Sequence, residues 1–107
     1  MALHWATQGL ACGHDKALPP LMRVFFYLPF EHAEDLKLQK QSVRLFQQLH
    51  AQAGEPWKEF FGQILQYAHA HDDVIHRFGR FPHRNAILNR PSTPDECVYL
   101  QDKNAGF

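Results

Sequence analysis

A chain of 107 residues with 45% apolar and 13% aromatic side chains is long enough for one hydrophobic core and too apolar for disorder. Its 11 Lys and Arg balance 11 Asp and Glu, which leaves no whole-molecule attraction to nucleic acid or to an anionic membrane. The unusual count is eight histidines.

The first five residues, Met1 to Trp5, lack the basic start and long apolar stretch of a signal peptide. The densest apolar run, Val24 to Phe30, contains Pro29 and is far too short to span a bilayer. Cys12 and Cys97 form no metal- or redox-type pair, so both are expected as free thiols of a cytoplasmic protein. One domain over residues 1–107 is expected.

Helical periodicity runs through nearly the whole chain. A first helix is predicted from about Ala2 to Cys12, with Gly13 ending it. A second begins near Pro20, with Met22, Phe25 and Phe26 turned inward, and Pro29 breaks or kinks it at Leu28. A third starts within Glu31-His32-Ala33-Glu34-Asp35, acids that suit the positive end of a helix dipole. Its stripe is Leu36, Leu38, Val43, Leu45, Phe46 and Leu49, interrupted by Gln39 and Ser42. After a turn at Ala53-Gly54-Glu55-Pro56, a fourth helix carries Trp57, Phe60, Phe61, Ile64, Leu65, Ala68, His71, Ile75 and Phe78 at three- and four-residue steps, and Gly79 ends it. Phe81-Pro82 opens a turn segment. Thr93-Pro94-Asp95-Glu96 is a capping box before a short last helix. Short connections favour antiparallel neighbours, so the fold class is all-α, a stack of four to six helices.

Between Asp73 and Asp95 there is no acid, while Arg77, Arg80, Arg84 and Arg90 fall there with His76 and His83. In the leading reading these arginines pair with Glu31, Glu34 and Asp35 and cap the end of the fourth helix. In the other, guanidinium groups with His83 and Asn85 hold a small carboxylate or phosphate. Nucleic acid is not expected, because the basic stretch is short and nothing extends it.

His71 lies on the apolar stripe and reads as a hydrogen-bonded core residue. His4, His14, His50 and His69 read as surface residues. No zinc-type spacing occurs; His32 with its neighbouring acids offers donor atoms that a solvated first turn explains equally, so neither metal nor cofactor is expected. No nucleophile or phosphate-binding motif occurs either. A histidine–carboxylate pair across helices, His71 or His83 with Glu34 or Asp35, is the one acid–base arrangement the residues allow.

Two stretches carry a family resemblance. Tyr27-Leu28-Pro29-Phe30-Glu31-His32-Ala33-Glu34-Asp35-Leu36 with Gln41-Ser42-Val43, then His71, then Arg77-Phe78-Gly79-Arg80-Phe81-Pro82-His83-Arg84-Asn85-Ala86-Ile87-Leu88 with Arg90 and Ser92-Thr93-Pro94, resemble the C-terminal half of the bacterial DUF924 family. The resemblance implies an all-helical, tetratricopeptide-like stack, an architecture that usually serves binding. Its motif positions fall on His32, Glu34, Asp35, His71, Arg77, Arg80, His83, Arg84 and Asn85, which are therefore the candidate ligand or anion site. Position 89 is Asn where the family usually has Gly. Family members are nearly twice as long and carry a further motif like Phe81 to Asn85. Loss of that half would expose apolar helix faces, so a homodimer is expected, with exchange of helices as one route. The leading functional expectation is thus a self-associating helical binding module, and the alternative is an enzyme or receptor for a small anionic ligand.

Overall fold

The computed structural model describes residues 2–13, 16 and 18–102. His14 lies outside them. The described residues form five α-helices and a 3₁₀ turn, with no strand among them: α1 (Ala2–Ala11), α2 (Pro20–Glu31), α3 (Leu36–Gln52), α4 (Lys58–Phe78), the turn Pro82–Arg84, and α5 (Pro94–Leu100). None is long and apolar enough to cross a membrane.

Successive helices pack on one another in chain order, α1 on α2, α2 on α3 and α3 on α4. The main core joins Val24, Tyr27 and Phe30 of α2 to Leu45, Phe46 and Leu49 of α3 and to Phe61 and Ala68 of α4. Phe30 and Phe46 are almost wholly buried, each contributing on the order of 2–3 kcal/mol of apolar transfer. Gly9 lets α1 sit close on α2, since a Cβ there would collide with the Phe26 ring. A second, smaller core of Val74, Ile75 and Phe81, with Phe78 and Tyr99 against it, ties the end of α4 to the turn and α5.

Three expectations are corrected. Pro29 does not end α2, which runs on to Glu31; so close to the C-terminus the proline removes a single donor, and the final turn closes through His32 N–H on the Leu28 carbonyl. The inward face of α2 is Val24, Tyr27, Phe30 and Glu31, while Met22 and Phe25 are exposed. Glu31 is consequently the last residue of α2 and not in the first turn of α3, which begins at Leu36 with Asp35 as N-cap, its carboxylate accepting from Leu38 N–H at 3.0 Å. Gln39 and Ser42, the two polar residues that interrupt the apolar stripe of α3, are both fully buried.

The ends of α4 and α5 follow the sequence. Gly79 caps α4 at φ 74°, a conformation that favours glycine, and its N–H reaches the Ile75 carbonyl. Thr93 and Glu96 close the capping box of α5 reciprocally. Asn89 takes φ 55°, the left-handed turn conformation that Asn tolerates better than other side-chain-bearing residues. Cys12 and Cys97 are free and exposed.

Candidate functional site

Most of the residues picked out by the sequence lie where the end of α2 meets α4 and the segment 80–92, with Arg77 apart at the end of α4 beside Tyr99, and they divide into two groups.

The first group is a network of arginines and acids. Arg80 makes a two-pronged contact with Glu96, Nε to Oε2 at 2.8 Å and Nη2 to Oε1 at 2.7 Å, and also donates to the Pro91 carbonyl at 2.8 Å. Glu96 is buried, and the Arg80 guanidinium with the cap donors of Thr93 holds its carboxyl down at about 2. Arg90 straddles Glu34 with two 3.1 Å bonds and adds the Phe81 carbonyl and Asn85 Oδ1. Glu34 also accepts from Phe81 N–H at 2.7 Å. Burial pushes the Glu34 carboxyl up, but Arg90, the Phe81 N–H and the charge of Arg84 together hold it below its ordinary value. Asn85 is buried and donates to Ser92 Oγ at 3.0 Å. Arg84 lies over the Phe81 ring at 4.6 Å, donates to the His32 carbonyl at 3.0 Å and stands 3.9 Å from Glu34. Arg77 stacks on Phe78 and Tyr99. Arg84 and Arg90 meet Glu34, as the structural reading expected, whereas Arg80 uses Glu96 and not an acid of residues 31–35, and the carbonyls these arginines bond are those of His32, Phe81 and Pro91 and not those at the end of α4. Asp35 is occupied by its cap.

The second group is Glu31, His32 and His71. Glu31 is buried at 4% exposure, yet no hydrogen-bond partner lies within reach of its Oε1 among the described residues. Its neighbours stand just beyond hydrogen-bond range: His32 Nε2 is 3.8 Å from Oε2 and His71 Nδ1 is 3.7 Å from Oε1. Burial pushes the Glu31 carboxyl up to about 7. His71, in the middle of α4, places Nδ1 at 2.7 Å from the Tyr67 carbonyl. A carbonyl only accepts, so Nδ1 carries the proton and Nε2 the lone pair. Burial, then the neighbouring charge of Arg84, lowers the His32 pKa. For His71 burial again leads, the Tyr67 carbonyl opposes it, and His32, His83 and Arg84 add to the lowering. His83 is lowered by burial and by Arg84 against an opposing pull from Glu34, and its ring lies against Phe81. The imidazoles are therefore kept neutral. One donor atom from each of Glu31, His32 and His71 can be chosen so that all three lie within 4.8 Å of one another.

What positions this second group is α3. The buried Gln39 amide donates to the carbonyls of Glu31 and Ala33, on either side of His32, the latter at 2.8 Å. His71 is held from the other side by edge contact with the Phe81 ring. The sequence signal for Glu31 was present. Val24, Tyr27 and Glu31 follow a helical i, i+3, i+7 step onto the buried face of α2, but that step is visible only if the helix is allowed through Pro29.

The architecture defines an all-helical protein with a polar cluster at one helix junction. The chain matches over residues 1–104 the family described as bacterial protein of unknown function (DUF924), and it belongs to that family. It is also similar to a solved structure titled "Structure of Protein of Unknown Function ATU0120 from Agrobacterium tumefaciens", at 44% identity and a TM-score of 0.77 over 94% of this chain. It spans 51% of that protein, about half its length. No curated protein matches the chain.

Proposed function

We propose that this chain is a helical binding module whose ligand site is the Glu31/His32/His71 cluster, with the arginines serving as its scaffold. One observation carries the reading: a carboxyl that is 4% exposed with an oxygen left without a hydrogen bond, in a structure whose other buried acid, Glu96, is fully engaged. Native proteins rarely tolerate such a group without a use for it. A thermal-shift screen of small ligands tests this. The reading expects a stabilising ligand whose effect disappears in Glu31→Gln; hits that are indifferent to Glu31→Gln would sink it.

The enzymatic alternative draws on a different observation. A carboxyl pushed up to about 7 beside a neutral imidazole is matched to proton transfer near neutral pH. The small anionic ligand suggested by the sequence has Arg84 as its closest guanidinium to the cluster, already engaged with His32 and Glu34. Turnover of a bound ligand, lost on Glu31→Gln with binding retained, would favour the enzyme.

Self-association is part of the same proposal. Trp5, Met22, Phe25 and Trp57 are each more than half exposed, a large apolar display for a chain this size. The reading expects a homodimer, with or without exchanged helices, in a reducing cytoplasm that suits two exposed thiols. Light scattering at micromolar concentration tests it, and a monodisperse 12.5 kDa species overturns it.

A further inference from the structure

Glu31 and His32 come from the end of α2, and His71 comes across from α4, so the cluster is made by tertiary packing and not by a solvated helix turn. Tetrahedral bonds of zinc to nitrogen and oxygen place neighbouring donor atoms roughly 3.3 Å apart. Donor atoms of the three residues can be chosen within 4.8 Å of one another, so closure needs inward shifts of up to about 1.5 Å. The donor set is two imidazoles and one carboxylate, which suits zinc and cobalt and not the all-oxygen preference of calcium or magnesium. Three protein ligands leave a fourth position, and His32, half exposed at 52%, sets the cluster's solvent-facing edge.

We propose that Glu31, His32 and His71 form a binding site for a divalent cation of the zinc class, with one coordination position open to solvent. The proposal rests on the cluster being the ligand site, and deepens that reading. Two features beyond the donors support it. His71 already gives Nδ1–H to the Tyr67 carbonyl, the outer support a ligating imidazole takes. The orphaned Glu31 Oε1 would gain in the cation the partner it lacks. The Arg84 charge works against a cation here; the carboxylates of Glu31 and Glu34 offset it, the latter 3.9 Å from Arg84.

The test is titration of the full chain, carrying Cys12→Ser and Cys97→Ser to remove the two exposed thiols, with Zn²⁺ by calorimetry and with Co²⁺ by visible absorption. One ion per chain is expected, with a tetrahedral-type cobalt spectrum. Glu31→Gln and His71→Asn, each confirmed as helical by circular dichroism, should weaken binding by tenfold or more. Absence of saturable binding, or binding that survives both substitutions, overturns the metal site. If metal fails but a small organic ligand stabilises the EDTA-treated protein in a Glu31-dependent way, the cluster remains the ligand site and only this inference falls. If neither metal nor ligand binds, both readings fall together.

Discussion

Glu96 and Glu31 are two buried glutamates treated in opposite ways. Glu96, 2% exposed, has Arg80 on both oxygens and the Thr93 cap donors around it, and is held ionised down to about 2. Glu31, 4% exposed, has two neutral imidazoles just out of hydrogen-bond reach and is pushed up to about 7. Equal burial therefore says nothing about role; the completeness of the partner set does. A carboxylate with its donors supplied holds a fold together, while one left short is a cost the fold carries for some other purpose.

The largest effect should come from cutting the joint between the two regions. Phe81 is fully buried; its N–H goes to Glu34, its ring touches His71, and Arg84 stacks on it. Phe81→Ala should cost about 3–5 kcal/mol in chemical denaturation. A loss under about 1 kcal/mol would mean that the regions are not coupled through this residue. Next is Arg80→Ala, which strands the Glu96 carboxylate; a fall in melting temperature of roughly 4–8 °C is expected, and an unchanged midpoint would show the pair to be idle.

Acid should reveal the same contrast more gently. The folded-state pKa of Glu96 lies below its ordinary 4.5, so its contribution is complete above about 4.5 and is lost as pH falls towards about 2. Melting followed across that window should show wild type losing its advantage over Glu96→Gln; parallel curves would contradict the assignment. The smallest effect is expected at Glu31. Glu31→Gln removes a desolvated carboxyl and should leave the metal-free protein as stable as wild type, or more stable by up to about 1 kcal/mol, at neutral pH. A clear destabilisation would place Glu31 in the same structural class as Glu96.

The all-helical class was legible in the sequence because periodicity and caps agree over most of its length: Gly79 and the Thr93–Glu96 box stand where they were read, and the α4 stripe is buried at Phe61, Ala68, His71 and Ile75, while Trp57 and Phe60 at its start are exposed. The inner face of α2 was not legible. Proline inside a helix normally breaks or kinks it, and a break at Leu28 handed Glu31 to the wrong helix, while Met22 and Phe25 were read inward where Val24, Tyr27 and Glu31 face the core. The polar motif residues were found, and most of them lie around one junction. What spacing could not supply was the partner of each, since Glu34 with Arg90, and His71 with Glu31, meet only through packing across dozens of residues. Gln39 and Ser42 were missed for a related reason: a polar residue on an apolar stripe looks like an interruption until its buried role is seen.

Gln39 has a consequence for how variation in these proteins is interpreted. It belongs to α3 and supplies no donor atom to the cluster, yet its amide clamps the two carbonyls that bracket His32. Replacement by leucine would keep the volume and lose the clamp, leaving Glu31, His32 and His71 chemically intact but the end of α2 without the contact that holds it. A survey confined to the residues that touch a ligand would score such a chain as competent. The spacing of the cluster is tied to a neighbouring helix through those two bonds, so a change in α3 reaches it without touching any of its three residues.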